Sequence, residues 1–233
     1  MSLILAFSTS SQAASVALVK SGSVLSEQVV TNSHSHTAAL APIMDEMLSS
    51  FAIGCDDIDC YAVDVGPGSF TGVRIGVAMA NGLSLGSGKP VIGVSSLMSL
   101  RFQHLEISPV AAMIDAHNDN VYAAVYYNKS ATLAPCAVTI QELADKLPPG
   151  TLCIGDGAVA HQLYLSELYP TLKFASDTSN IIKASCVGLA AWSMIEEAGS
   201  VEAVASEFIL PTYLKPSQAE MKKNVQESTD TNA

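Results

Sequence analysis

LILAFSTSSQAASVALV, Leu3 to Val19, returns in outline at Ala111 to Tyr127 as AAMIDAHNDNVYAAVYY, and this recurrence sets the architecture. Each stretch reads as a strand, a polar turn and a second strand, because a short run rich in Val, Leu, Ile and Ala is broken by Ser, Asn, Asp or Gln and then resumes. After the first copy, Val24 to Val30 predicts a third strand. Leu40, Ile43, Met44, Met47, Leu48 and Phe51 then recur at helical spacing, with Asp45 and Glu46 opposite, so the segment Thr37 to Phe51 predicts an amphipathic helix. A strand over Cys60 to Val65, a glycine-rich turn, a helix over Thr71 to Leu85 and a strand over Pro90 to Val94 follow. In the second half Leu152 to Ile154 runs into Gly155, Asp156 and Gly157 ahead of a helix near Ala158, echoing the first half. A unit repeated at about a hundred residues predicts an α/β protein of two similar lobes, residues 1–103 and 104–215, joined within Arg101 to Ser108. Residues 216–233 read as a polar tail, either a short helix or a frayed end.

Composition narrows the function. Of 233 residues 49% are apolar and 14% charged, enough for a sizeable core and too apolar for disorder. No apolar run reaches membrane-spanning length. Twenty-two acidic against eleven basic residues give a net charge of −11, the wrong sign for holding a nucleic-acid backbone unaided. No basic residue precedes the apolar run Leu3 to Phe7, unlike a secretory signal, and a cytoplasmic location is expected. Cys55, Cys60, Cys136, Cys153 and Cys186 are odd in number and form no C-x-x-C pair, so they are expected to be buried, reduced thiols.

GPGSFTGVRIG, Gly66 to Gly76, is the strongest local signal. Gly66 and Gly68 permit close backbone approach, while Ser69 and Thr71 can cap the helix that follows, whose first amides lack partners. Such a turn is a candidate anion site; the alternative is a tight strand-to-helix turn packed on a neighbour. Gly72, Gly76 and Ala80 lie on one helix face and imply a close approach, expected against another helix of this chain or of a partner. Arg74 is expected to pair with a carboxylate such as Asp64 or to reach a ligand. GSGKP, Gly86 to Pro90, lacks the upstream glycine and the hydroxyl of a phosphate loop. His34 and His36 lack the spacing of helix-borne metal ligands, and no G-x-S-x-G nucleophile elbow occurs.

The chain resembles the bacterial tRNA threonylcarbamoyladenosine biosynthesis proteins of the TsaB (YeaZ) type, also called glycoprotease-like. The resemblance rests on ILAFSTSSQAASVAL at Ile4 to Leu18, GPGSFTGVRIGVAMANGLSLG at Gly66 to Gly86, GVSSL at Gly93 to Leu97, IDAHNDNVYAAVY at Ile114 to Tyr126 and LPTYLK at Leu210 to Lys215. It implies two actin-like lobes of the acetate and sugar kinase, heat-shock and actin superfamily. It also implies a non-catalytic subunit with no metal site and no cofactor held by this chain alone. Its implied partners are a TsaD-type transferase, a TsaE-type ATPase and a second copy of itself; tRNA is met only through the complex, and a nucleotide only at the TsaD interface. The implied interface uses Leu40, Ile43, Met44, Met47, Leu48, Phe51, Gly72, Arg74, Gly76 and Ala80. Members commonly carry aspartate after the first strand where this chain has Ser8, and arginine where it has His117. Ser8 and Asp115 are thus candidates for a polar cleft, Asp115 alternatively for capping the turn at His117 to Asn120. The rival expectations are a free-standing ATPase or phosphotransferase of the same superfamily and a glycoprotease-like hydrolase.

Overall fold

A computed structural model describes residues 2–31, 36–128 and 130–214, the first four residues of the helix at 36–50 by backbone alone. His34, the His36 side chain, Lys215 and the tail 216–233 lie outside the described residues.

The first sheet contains β1 (Leu3–Ser8), β2 (Ala14–Lys20), β3 (Ser23–Val30), β4 (Cys60–Asp64) and β5 (Val91–Val94), in the order β3-β2-β1-β4-β5. β1, β2 and β3 pair antiparallel as a meander, and β1, β4 and β5 pair parallel. The second sheet repeats the scheme with β6 (Val110–Asp115), β7 (Asn120–Tyr127), β8 (Ser130–Thr139), β9 (Leu152–Ile154) and β10 (Lys173–Phe174), in the order β10-β9-β6-β7-β8. Register makes the duplication explicit: Ser8 pairs with Ser15 at the end of the first hairpin, as Asp115 pairs with Val121 in the second.

Helices fill three layers. On the outer face of the first sheet lie α1 (His36–Ser50) and α2 (Phe70–Ser87), sharing a core with Leu5, Phe7, Leu18 and Val63. On the outer face of the second lie α4 (Ile140–Ala144), α5 (Asp156–Ala160) and α6 (Gln162–Leu168). Between the sheets sit α3 (Ser96–Arg101) and α7 (Ala184–Ala198), in a third core that joins Ile4, Ala6 and Ala62 of one sheet to Ala112, Ile114 and Tyr126 of the other.

α7 follows the second lobe in sequence but packs on the first. A β-carbon at Gly188 would fall 2.5 Å from Val19, so glycine lets α7 approach the β1/β2 face closely. The first amides of α7 donate to the Ser15 hydroxyl and the Glu27 carboxylate, so side chains of the first sheet cap it. Residues 206–213 also return to the first lobe. Ser206 bridges Val91 at the sheet edge, the Asn81 side chain exchanges two hydrogen bonds with the Ile209 backbone, and the Thr212 amide donates to Val65. The unit expected at 104–215 is therefore divided in space: its sheet forms the second lobe, while α7 and this strap belong to the first. The connector is fastened to the second lobe by the buried Arg101 guanidinium, which donates to the carbonyls of His104, Leu105 and Asn128.

The expectation of five buried thiols needs correction. Cys60, Cys153 and Cys186 are buried, but Cys55 is exposed in a 3-10 turn and Cys136 is half-buried on an edge strand. Burial pushes the Cys60 and Cys153 thiols up to about 12 and that of Cys186 to about 11. Alkylation at pH 8 should mark Cys55 fast, Cys136 slowly and the other three only after unfolding, read by peptide mass spectrometry.

Candidate functional site

β1 and β4 lie side by side and end together, which places Ser8 next to Asp64 at the carboxyl edge of the parallel strands, where open α/β sheets build their sites. Asp64 is buried. Its Oδ2 accepts from the hydroxyls of Ser8, at 3.0 Å, and Ser10; its Oδ1 accepts from the hydroxyl of Ser96 and, at 2.9 Å, from the amide of Gly66. Burial pushes the Asp64 carboxyl above the ordinary range, against the pull of these four donors. Two expectations are corrected here. Arg74 does not pair with Asp64, because that carboxylate is enclosed and fully engaged by hydroxyls. Ser8 is buried beneath the turn rather than lining an open cleft, because its hydroxyl is held by Asp64.

The glycine-rich turn is shaped by the loop after β1. A β-carbon at Gly68 would stand 2.6 Å from the Ser10 carbonyl oxygen, one at Gly72 only 1.8 Å from that of Thr9, and one at Gly76 2.7 Å from the Thr9 hydroxyl. Thr9 donates that hydroxyl to the Gly72 carbonyl at 2.7 Å. The glycine face thus packs against a loop and β4 of its own chain, where a second helix had been expected. Gly72, Gly76 and Ala80 are buried there. The amide of Ser69 donates to Ser10 and that of Gly72 to the Ser69 hydroxyl, the expected cap. Of the four residues of the candidate anion turn, Gly66, Gly68, Ser69 and Thr71, Gly66 and Ser69 already spend their amides within the chain, on Asp64 and Ser10, and the close approach of Ser10 to Gly68 gives the turn the packing of the alternative reading.

The apolar stripe of α1 faces inward. Leu40, Ile43, Met44 and Met47 are buried in the first core, Leu48 is half-buried and Phe51 is exposed. The outward side of α1 carries Asp45 and Glu46, and that of α2 carries Phe70, Thr71, Arg74, Ala78, Gly82 and Leu85. Arg74 stacks 3.8 Å from the centroid of the Phe70 ring, and its Nε donates to the Tyr213 hydroxyl at 2.9 Å. PGSFTGVRIG and LPTYLK, far apart in the chain, meet in this cluster.

At the matching edge of the second lobe the Asp115 Oδ1 accepts from the His117 amide at 2.9 Å, which is the capping alternative, and its Oδ2 lies 3.4 Å from His117 Nδ1. Asp156 accepts from the Asp115 amide at 3.0 Å, and burial pushes its carboxyl up. His117, Asn118 and Asp119 all adopt left-handed angles, which makes the turn tight. No hydrogen bond joins Ser8 to Asp115. Among the described residues no group of three or more His, Cys, Asp or Glu side chains is placed to hold a metal ion. The sequence reading missed Asp64 as the organiser of the turn. A lone carboxylate ending the apolar run YAVD ahead of GPG was the available signal.

Duplicated five-stranded sheets with helices between and outside them define a two-lobed protein of the actin-like fold. Component A of (R)-2-hydroxyglutaryl-CoA dehydratase from Acidaminococcus fermentans shares the fold at TM-score 0.51 and 12% identity, over 84% of this chain and 100% of that one. Residues 23–175 match the family model described as TsaD, tRNA N6-adenosine threonylcarbamoyltransferase. The solved structure titled YeaZ from Pseudomonas aeruginosa aligns at TM-score 0.73 and 28% identity, over 92% of this chain and 100% of that one. The Escherichia coli tRNA threonylcarbamoyladenosine biosynthesis protein TsaB is 39% identical over 53% of this chain and 54% of its own length. The chain thus belongs to the TsaB/YeaZ family, and it spans about half the length of the first curated relatives it matches.

Proposed function

We propose that this chain is a non-catalytic partner of a TsaD-type transferase in a complex that forms N6-threonylcarbamoyladenosine at position 37 of tRNAs reading codons that begin with adenine. The name carried by its TsaB relatives supports the pathway. The observation that carries the subunit role is Asp64: the carboxylate at the carboxyl edge of the first sheet is committed to Ser8, Ser10, Ser96 and Gly66 and offers no free oxygen to a substrate or cation. The net charge of −11 supports a chain that leaves the principal tRNA contact to another subunit. A nucleotide handled by the complex would lie at the junction with the TsaD-type subunit, with a TsaE-type ATPase as a third component. Among the described residues no helix is long and apolar enough to cross a membrane.

Reconstitution tests the role. TsaD-type and TsaE-type subunits, threonylcarbamoyl-adenylate and unmodified tRNA should give modified adenosine, read by mass spectrometry of tRNA hydrolysates, only when this chain is added. Equal product without the chain would overturn the proposal. Product formed by the chain alone, or ATP turnover by it that Asp115→Ala abolishes, would replace it with an enzymatic role.

A further inference from the structure

We propose that Phe70, Arg74 and Tyr213 form a preassembled anchor for one aspartate or glutamate side chain of the transferase-type partner, an assignment that rests on the partner-subunit reading above. Arg74 lies on the outward side of α2, one helical turn after Phe70, so the guanidinium lies over the ring that precedes it. Tyr213 arrives on the strap from the far end of the chain. Its ring lies 5.4 Å from that of Phe70, and its hydroxyl accepts the Nε proton at 2.9 Å. The arginine is thus fixed on two sides before any partner arrives, which lowers the ordering cost of binding. Among the described residues no carboxylate reaches Arg74 within salt-bridge distance, and no hydrogen-bond acceptor faces its two terminal nitrogens. Those nitrogens form the fork that binds a carboxylate in bidentate fashion.

The surroundings favour a protein occupant. Phe70 is 44% exposed and Tyr213 48%, so the cation sits between two open aromatic rings, and Phe208 and Leu210 further back along the same strap are exposed as well. Aromatic rings around an arginine are the composition of protein interface hot spots. A chain of net charge −11 repels an RNA backbone over a distance, whereas one acidic side chain on a folded surface meets a matched site without that penalty.

The test is a titration of the chain with its TsaD-type subunit, with the same variants titrated against tRNA. Arg74→Ala should weaken the heterodimer about thirtyfold and flatten its salt dependence. Arg74→Lys should weaken it about fivefold, because an ammonium keeps the charge and loses the fork and the stacking. Tyr213→Phe, which removes only the orienting hydroxyl, should weaken it about threefold. Arg74→Glu should abolish binding, with rescue by an acidic-to-arginine exchange at the facing position of the partner. If the native chain binds the subunit and Arg74→Ala binds within twofold of it while melting normally, the anchor is wrong and the subunit reading stands. If the native chain does not bind the subunit at all, the subunit reading itself fails. Loss of tRNA binding by the chain alone on Arg74→Ala, with heterodimer affinity unchanged, would reassign the site to RNA phosphate.

Discussion

Asp64→Ala is expected to destabilise the protein by about 3–5 kcal/mol, a loss of about 10 °C or more in melting temperature for a chain of this size. Alanine leaves three serine hydroxyls and the Gly66 amide around a dry void where one carboxyl had gathered them. Ser8 and Ser10, 3.2 Å apart, can turn toward each other, but the Gly66 amide and Ser96 lose their acceptor. The turn that launches α2 then loses its support from beneath. Asp64→Asn should cost about 1 kcal/mol, because its oxygen keeps the Gly66 and Ser96 bonds and its amide donates to the serine oxygens. The pair also predicts a pH signature. Burial places the folded pKa of Asp64 above the ordinary 3.8, so the folded state binds the extra proton between the two values. The favourable contribution of the residue is complete below 3.8 and is lost as pH rises through the folded pKa. The deficit of Asp64→Asn against the native chain should therefore be largest in acid and shrink toward neutrality, measured by urea denaturation from pH 4 to 8. A deficit that does not vary with pH would remove the buried carboxyl from this account.

How much of this could be read in advance depended on whether a residue answers to its neighbours in sequence or to a distant segment. The hairpins of β1/β2 and β6/β7 announce themselves because their polar turns break two apolar runs, and α1 because one side is buried and the other is wet. By contrast, α7, ASCVGLAAWSMIEEA, is buried between two sheets along most of its length and so carries no clean polar face for periodicity to find. β8, SATLAPCAVT, escaped notice because an edge strand tolerates proline and small polar residues that otherwise signal a loop. Charge complementarity alone suggested Arg74 with Asp64. The structure instead surrounds Asp64 with hydroxyls from the end of β1, the loop after it and the start of α3, and gives Arg74 to two rings, one of them more than a hundred residues away. The candidate interface on α1 showed the complementary weakness of a periodic stripe: Leu40, Ile43, Met44 and Met47 mark the side that faces the core, and the outward side is described by what lies between them.

Gly72→Ala and Gly82→Ala, one on each side of α2, should move stability in opposite directions. Inside a helix alanine is favoured over glycine by about 1 kcal/mol, and both positions would gain this by propensity alone. At Gly82 no atom lies within 4 Å of the added β-carbon, so Gly82→Ala should stabilise by about 0.5–1 kcal/mol. At Gly72 the β-carbon would lie 1.8 Å from the Thr9 carbonyl oxygen and 2.9 Å from its carbon, which are backbone atoms that no side-chain rotation can clear. Helix and loop must separate, and separation breaks the Thr9 bond to the Gly72 carbonyl and draws Ser10 away from Asp64. Overpacking of this kind ordinarily costs about 1–3 kcal/mol; with backbone on one side of the clash and a buried carboxyl network behind it, about 3 kcal/mol or more is expected. Urea titrations of the two variants beside the native chain decide the matter, and equal stability of Gly72→Ala and Gly82→Ala would show that the loop after β1 does not rest on α2. Since Gly72 acts through folding, lost partner binding in its variants would follow from the displaced loop, and an interface on α2 has to be mapped from Arg74 and its exposed neighbours instead.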